Sequence, residues 1–206
     1  MKIDLSPIAT KELIQELNRR TTLMQSNGLL SPDAFRLRAK LGAIVCTDGV
    51  PIRMHEGVLQ AGLIRRNTGD YQGKLCLIGG VVALGETLDT ALRRHFRTDI
   101  GKEISFLDSR GACCPCAAYQ YYGDGRSNDF LPEPTKHAVA LTYLVSISDG
   151  DFVFGSSEFG QEASAFEWYS TETCPPAEEF GYSTRGIFLE CLSAASTFLQ
   201  EKNIPS

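Results

Sequence analysis

One stretch of the sequence, Gly79–Gly101, constrains the fold more than any other. An apolar run at Leu75–Ile78 comes before it and a glycine pair opens it, so the pattern predicts a strand, a glycine turn and then a helix. Gly101 is expected to end the helix, because glycine is common just past the last helical turn. The glycine pair lets the backbone approach a ligand closely, since no Cβ intrudes. The stretch therefore predicts a binding site between a strand and a helix.

The helix in this stretch has an apolar and a polar face. At 100° per residue, Leu88, Leu92 and Phe96 form one stripe that is expected to pack on a sheet. The adjoining arc carries polar side chains of the kinds that occur in functional sites, namely Arg94, His95, Thr98 and Asp99. Any amphipathic helix has polar residues at such spacings. The polar arc therefore indicates a functional site only in combination with its fixed spacing from the glycine pair.

The spacing across this stretch resembles the signature of the Nudix hydrolases, which cleave diphosphate linkages in nucleoside-diphosphate compounds. The residues that stand at the family's intervals without a gap are Gly80, Glu86, Arg94 and Gly101. The family's glutamates fall at positions that hold His95, Thr98 and Asp99 here. Only the last of these keeps an acid. The resemblance implies an α/β fold, a Nudix-type α/β/α sandwich with helices on both sides of a mixed β-sheet.

The resemblance also implies a metal site. In the family, the residue at the Glu86 position holds the arginine at the Arg94 position, and this structural pair orients the metal-binding acids. The implied ligands of the metal are Gly79, Gly80, Asp99 and Glu162. Mg²⁺ is the implied ion, with Mn²⁺ as the alternative. Since magnesium commonly binds through one or two carboxylates and several waters, this set suits a single ion.

The candidate catalytic residues are His95, Glu162 and Arg94. Glu162 lies in the loop before the strand Phe166–Tyr169, where the family commonly supplies a further ligand or a base. A solvated glutamate is the alternative. His95 has an ordinary pKa near neutrality, which suits a general acid or base. Alternatively, it fills the space of a lost glutamate.

Two arginines are candidates for binding substrate phosphates. Val58–Ile64 reads as a strand that delivers Arg65 and Arg66 at its end. In Nudix proteins a basic residue at the Arg66 position often faces the phosphates of the substrate. The planar fork of arginine suits this task because it holds two phosphate oxygens at once. A solvated arginine at a strand end is the alternative.

Further candidate substrate-binding residues flank the polar segment 123–136. Tyr121 and Tyr122 precede it, and aromatic rings beside such a segment are suited to stacking on a nucleobase or sugar, or to anchoring the segment to the core. His137 heads the apolar strand that follows. It stands where the GDP-mannose mannosyl hydrolases, a Nudix subgroup that also lacks two of the glutamates, have a histidine.

The similarity to that subgroup is partial. The shared features are the glycine pair, Glu86-Thr87-Leu88, Arg94, Asp99 and His137. The subgroup's arginine, first-strand aspartate and catalytic histidine are replaced here by Val81, Ala43 and Ala163. These departures argue against mannosyl specificity.

The whole chain has an ordinary globular composition. It has 206 residues, a net charge of −5, 43% hydrophobic and 22% charged residues. A mildly acidic chain is not suited to neutralising nucleic-acid phosphates, so no nucleic-acid partner is expected. The sequence shows neither an apolar run of membrane-spanning length nor the apolar core of a signal peptide at its start, so no membrane contact and a cytoplasmic location are expected.

The seven cysteines do not indicate a disulfide framework, because their number is odd and no secretion signal precedes them. Cys46, Cys76 and Cys191 lie in apolar runs, where a thiol behaves as a small hydrophobe. Cys113–Cys116 is a tight cluster, but the second pair of ligands that a structural zinc site needs is missing. Strand or loop thiols are therefore expected there.

The predicted domains are an N-terminal helical arm at residues 1–40 and a Nudix-like domain at residues 41–206. The apolar stripe of the arm needs a partner, so exchange of the arm in a homodimer is expected, with packing inside one chain as the alternative. In the domain, a first strand at Leu41–Cys46 is expected to end at the turn signal Thr47-Asp48-Gly49. A last helix is expected from Ser183 to about Glu201.

Two functional hypotheses follow. One is a hydrolase of a nucleoside-diphosphate-linked compound, a nucleotide sugar in particular, that uses one Mg²⁺. The other is an inactive Nudix-like module that binds a nucleotide or nucleotide sugar as a sensor or interaction partner. The depleted carboxylates favour the module, whereas the retained Glu86, Arg94 and Asp99 favour the hydrolase.

Overall fold

The structure is a computed structural model that describes residues 42–68, 71–122, 137–157, 160–182 and 184–202. The predicted helical arm at residues 1–40 lies outside these ranges. The strands are β1 (Ile44–His55), β2 (Val58–Arg66), β3 (Leu75–Cys76), β4 (Ile78–Val81), β5 (Ile104–Phe106), β6 (Ala117–Tyr122), β7 (His137–Ile147), β8 (Ser156–Ser157), β9 (Gly160–Gln161) and β10 (Ala163–Tyr169). The α-helices are α1 (Leu88–Ile100) and α2 (Arg185–Lys202), and short 3-10 turns lie at Gly111–Cys113 and Ala177–Glu179.

Eight of the strands form one mixed sheet. Its main order is β10-β2-β1-β7-β5, with β3 paired to β2, β4 to β1 and β6 to β7. The pairing of β1 with β7 is parallel, and the other pairings are antiparallel. The two short strands β8 and β9 pair with each other.

The two helices cover opposite faces of this sheet. Leu63 of β2 packs with α2 residues such as Phe188, whereas the next residue, Ile64, packs with Leu92 and Phe96 of α1. Successive strand residues point to opposite faces, so the two clusters are the two sides of a sandwich. The predicted α/β sandwich with a mixed sheet is confirmed. No helix in the described ranges is long and apolar enough to cross a membrane.

Helix α1 begins and ends at identifiable caps. Thr87 and Thr90 form a reciprocal capping box, in which each side chain accepts a hydrogen bond from the other residue's backbone N–H. Gly101 adopts the left-handed conformation at the C-terminus, with φ 67°, and its N–H donates to the last carbonyls of the helix. The predicted helix end at Gly101 is confirmed.

The first strand is longer than predicted. β1 runs through Thr47-Asp48-Gly49, which the sequence analysis took as a turn, and the chain reverses only at Glu56-Gly57. A Cβ on Gly49 would lie 2.5 Å from the Phe96 ring. The glycine therefore makes room for α1 instead of bending the chain, and the pairing of β1 with its neighbours overrides the local turn signal.

Candidate active site

The glycine pair lies inside strand β4, where Gly79 pairs with Asp48 and Gly80 with Thr47. This corrects the predicted glycine turn, because the chain reverses later, at Leu84-Gly85. A Cβ on Gly79 would lie 2.1 Å from the carbonyl oxygen of Thr47, and a Cβ on Gly80 would lie 2.9 Å from the His95 ring. The pair is therefore needed for the close approach of β4 to β1 and to α1.

Glu86 and Arg94 form a two-pronged ion pair. The Arg94 Nε and Nη2 atoms donate to the two carboxylate oxygens of Glu86, each at 2.7 Å. Arg94 Nη2 also donates to the carbonyl of Val81 at 3.0 Å, and the Ala83 N–H donates to Glu86 at 2.9 Å. The bonds from Arg94 hold the pKa of Glu86 below its usual value. The pair that the resemblance implied is present, and it ties the loop after β4 to the middle of α1.

His95 packs beneath the glycine pair. Its Nε2 lies 3.2 Å from the carbonyl oxygen of Val81, which can only accept, so Nε2 carries the proton and donates it. Burial and the charge of Arg94 lower the pKa of His95 to about 4. The ring is therefore neutral at pH 7 and its donor is already used. This placement matches the space-filling alternative more closely than a proton-transfer role.

Asp99 lies at the C-terminal end of α1 and is only 4% exposed. Burial raises its pKa to about 7, the nearby charge of Glu162 adds to this effect, and Arg66 and Arg94 oppose it. No hydrogen bond joins its carboxylate to another side chain or backbone group in the described ranges. Asp99 is therefore a buried acid that faces both an acidic and a basic neighbour.

Arg66 and Glu162 bring two distant parts of the chain to Asp99. Arg66 Nη2 lies 3.2 Å from Glu162 Oε2, and the Asn67 N–H donates to the carbonyl of Glu162 at 2.8 Å. Arg66 Nε also donates to the carbonyl of Thr68 at 2.9 Å, which fixes the direction of the guanidinium. The end of β2 and the residue before β10 therefore meet beside the end of α1.

Arg65 is not part of this cluster. It lies on the other face of β2, where its Nε is 2.7 Å from Glu167 and its Nη1 is 3.4 Å from Glu179 and 2.8 Å from the carbonyl of Gly73. Neighbouring strand residues point in opposite directions, so only one of the two predicted arginines can face the site. Arg65 is a structural ion-pair residue in this fold.

Aromatic rings border the cluster beside Arg66. The ring of Tyr182 lies 4.2 Å from that of Tyr71 and 6.2 Å from that of Tyr121, and the guanidinium of Arg66 lies 5.6 Å from the Tyr182 ring. We call Tyr71, Tyr121 and Tyr182 the tyrosine cluster. Tyr121 was predicted as a site residue; Tyr71 and Tyr182 were not.

Two other predicted residues lie elsewhere or cannot be placed. The side chain of Tyr122 falls outside the part of the chain that the structure describes, although its backbone pairs with His137. The His137 Nε2 lies 3.2 Å from Gln120 Oε1, at the edge where β6 meets β7.

Asp48 is a further candidate site residue, which was not predicted from the sequence. It pairs with Gly79, and a Cβ on that glycine would lie 2.5 Å from its Oδ1 atom. Burial raises the pKa of Asp48 to about 7, and its charge reaches Cys76, which borders Arg66. Thr142 lies opposite Asp48 on β7, and its hydroxyl has no hydrogen-bond partner among the described residues. Asp48 was not predicted as a candidate because Thr47-Asp48-Gly49 was interpreted as a turn, whereas it is part of β1.

The residues present fit a cation that takes few protein ligands. No group of three or more His, Cys, Asp or Glu side chains in the described ranges is placed to hold a metal. Asp99 and Glu162, however, are two carboxylates that repel each other, and a divalent ion between them would relieve that repulsion. Mg²⁺ binds through one or two carboxylates and retained waters, so this pair suits it.

The fold is that of the Nudix proteins. A structure from Jonesia denitrificans, described as a possible asymmetric diadenosine tetraphosphate hydrolase, matches 77% of this chain and 98% of its own at 25% identity and a TM-score of 0.61. The Nudix domain of Shewanella oneidensis NrtR, complexed with ADP ribose, matches 82% of this chain and 93% of its own. The identity is 15% and the TM-score is 0.51. A Burkholderia pseudomallei MutT Nudix hydrolase matches 72% of this chain and 98% of its own, at 19% identity and a TM-score of 0.53.

Comparison of the sequence with curated proteins finds no match. A family model matches residues 25–180, which is most of the chain, and its description is a domain of unknown function, DUF4916. The chain therefore belongs to the DUF4916 family, and its structure has the Nudix fold.

Proposed function

We propose that this protein hydrolyses nucleoside-diphosphate-linked compounds, with nucleotide sugars as the substrate class and a single Mg²⁺ as cofactor. The observation that carries the proposal is the meeting of Arg66, Glu162 and Asp99 beside the Glu86–Arg94 pair. These residues come from separate segments of the chain. A buried acid beside a second carboxylate costs stability, so a merely structural cluster would not need one.

The residues have different parts in this proposal. Asp99 and Glu162 would hold the ion, which would supply positive charge to neutralise the diphosphate. Arg66 contacts a phosphate oxygen, and its pairing with Glu162 at 3.2 Å keeps the guanidinium in place before the substrate arrives. Arg94 acts through Glu86 by fixing the loop and the helix, so it is a positioning residue. His95 supports the backbone beneath Gly80.

The tyrosine cluster supplies the nucleoside end of the site. Aromatic faces are suited to stacking on a base, and Tyr182 lies directly beside Arg66, so a base and a phosphate could be held side by side. The Nudix domain of NrtR, which shares the fold, is complexed with ADP ribose, a nucleotide sugar. This likeness supports the substrate class and leaves the choice of base to experiment.

The second candidate is a binding module without catalysis. The small number of possible metal ligands favours it, because the described residues contain no group of three or more acidic, histidine or cysteine side chains that could hold a metal. The neutral, hydrogen-bonded His95 also offers no base at the position of a family glutamate. In this case Arg66 and the tyrosine cluster would bind the same ligands without turnover.

A substrate panel separates the two candidates. ADP-ribose, GDP-mannose and diadenosine tetraphosphate are incubated with the wild type and with Asp99→Asn, with and without Mg²⁺, and products are separated by chromatography. Asp89→Asn is the control, because Asp89 pairs with Arg93 on the outer face of the same helix. Turnover that needs both Mg²⁺ and Asp99 supports the hydrolase. Binding without turnover, unaffected by Mg²⁺, supports the module.

We further propose that the chain forms a homodimer through residues 1–40. Light scattering on the full chain and on a chain that lacks these residues tests this, and a monomer in both cases would refute it. Neither a nucleic acid nor a membrane has a part in the proposed function.

A further inference from the structure

One pair of cysteines lies outside the proposed active site and has no part in it. Cys116 immediately precedes β6, and Cys191 lies in the middle of α2. Their sulfur atoms are 3.6 Å apart, although the residues are 75 positions apart in the sequence. None of the seven cysteines, all of which lie in the described ranges, forms a disulfide.

We propose that Cys116 and Cys191 are an oxidation site, at which a small disulfide such as oxidised glutathione converts the two thiols into a disulfide that joins α2 to the sheet. The approach required is small, because a disulfide needs about 2.05 Å between its sulfur atoms and both side chains rotate about their own χ1. The inference does not depend on the proposed hydrolase activity.

The two thiols differ in the way that such a reaction needs. Cys116 is exposed and Cys191 is buried, with 1% of its surface accessible. The contact with Cys191 lowers the pKa of Cys116, whereas the pKa of Cys191 is raised by the same contact and by burial. Cys116 is therefore the attacking thiolate, and Cys191 is the resolving thiol.

A groove gives the oxidant access to Cys116. Its volume is about 360 Å³, and it lies between the 3-10 turn at Gly111–Cys113 and the C-terminal half of α2. Cys114, Cys116 and Arg110 line it. Cys191 does not line the groove, so the oxidant reaches Cys116 first.

The geometry around Cys116 holds its sulfur in place. Its N–H donates to the carbonyl of Thr142 at 2.8 Å, and its Sγ lies 3.2 Å from the same oxygen. The start of β6 is therefore fixed on β7, and the sulfur is held toward α2. Cys113 and Cys114 precede this anchor, in the turn.

The reaction balances without any further reagent. The Cys116 thiolate attacks one sulfur of oxidised glutathione, and one glutathione leaves as thiolate. Cys191 then attacks the Cys116 sulfur, its proton passes to solvent or to the leaving group, and the second glutathione departs. Two protein thiols are oxidised, and one glutathione disulfide is reduced to two thiols.

The test uses the folded full-length protein and oxidised glutathione, followed by alkylation, intact-mass measurement and peptide mapping. The wild type is expected to lose two hydrogen atoms and to give one cross-linked peptide that contains Cys116 and Cys191. Cys191→Ser is expected to stop at one glutathione adduct on Cys116. Cys114→Ser, the matched control in the same groove, should behave as the wild type.

A thermal melt checks the consequence for the fold. The disulfide closes a loop of 75 residues, so the oxidised wild type is expected to melt on the order of 10 °C higher than the reduced protein, and dithiothreitol should reverse the shift. An adduct on Cys116 that never resolves in the wild type, a cross-link through Cys113 or Cys114, or no reaction at all would overturn the proposal. If Cys191→Ser does not fold, Cys116→Ser replaces it, and it should show neither adduct nor cross-link.

Discussion

Three ionisable residues near the glycine pair, Asp48, Asp99 and His95, are shifted toward their neutral forms. Burial raises the pKa of Asp48 and of Asp99 to about 7 and lowers that of His95 to about 4. The folded chain therefore holds less charge here than its composition suggests. A cation bound by Asp99 and Glu162, as proposed, would favour the charged form of Asp99.

The state of His95 can be tested by stability. An unfolded chain protonates a histidine near pH 6.5, whereas the folded chain resists until about pH 4, so stability due to residue 95 is lost as the pH falls between these values. In metal-free buffer the wild type should lose about 2 kcal/mol more than His95→Gln between pH 7 and pH 5, by urea unfolding. His55→Gln, at an exposed position, is the control. Equal losses in His95→Gln and the wild type would show that the ring is not held neutral.

The raised pKa of Asp99 predicts the opposite dependence on pH. The folded chain keeps a proton on Asp99 up to about pH 7, so charging this acid costs stability as the pH rises from about 4 to 7. Without metal, the stability gain from Asp99→Asn should be about 2 to 3 kcal/mol larger at pH 8 than at pH 5. Adding Mg²⁺ at pH 8 should stabilise the wild type and not the variant. A wild type that is indifferent to Mg²⁺ would contradict the proposed ion.

At the level of elements, the site depends on how closely β4 approaches β1. The importance of the glycines in β4 was recognised from the sequence, but the structural reason for them was not. A local sequence pattern cannot show that Gly79 lies against the backbone of β1. The same holds for Gly49, whose neighbour Phe96 is far away in the sequence. Helix α1 was predictable because its stripe, its capping residues and Gly101 are all local signals.

The site residues divide in the same way. Glu86 and Arg94 were found because a helix and a short loop fix their separation, so spacing carries the information. Arg66 and Arg65 could not be separated until the direction of β2 was known. Tyr182 was not predicted because it lies in the irregular segment before α2, with a positive φ of 53°. A single residue in such a segment belongs to no helical or strand repeat that could be recognised in the sequence.

The contact between β4 and β1 gives an element-scale prediction. Gly79→Ala places a methyl group 2.1 Å from the carbonyl oxygen of Thr47, so the backbone must shift and the free energy of unfolding should fall by about 2 to 3 kcal/mol. Gly186→Ala is the control, because nothing lies within 4 Å of its Cβ position in the first turn of α2. That change should stabilise by about 0.5 kcal/mol. Chemical denaturation measures both, and equal effects would contradict the account.

At the level of the whole molecule, the proposed site joins segments that are otherwise held apart. Arg66 ends β2, Asp99 ends α1, Glu162 precedes β10 and Tyr182 precedes α2. A ligand that contacts all of them would hold four separate segments of the chain together. Binding and global stability are therefore linked, and a ligand at 100 times its dissociation constant stabilises the folded chain by about 2.7 kcal/mol.

The adjacent arginines of β2 make this linkage specific. ADP-ribose at saturating concentration is expected to raise the melting temperature of the wild type by about 5 to 10 °C. Arg66→Ala should abolish most of the shift because Arg66 faces Glu162 and Asp99, whereas Arg65→Ala should keep it because Arg65 is bound to Glu167 on the opposite face. Each shift is measured against the variant's own melting temperature without ligand, since Arg65→Ala also removes a surface ion pair. The reverse pattern, with the shift lost in Arg65→Ala and kept in Arg66→Ala, would place the ligand on the α2 side of β2 and away from Asp99.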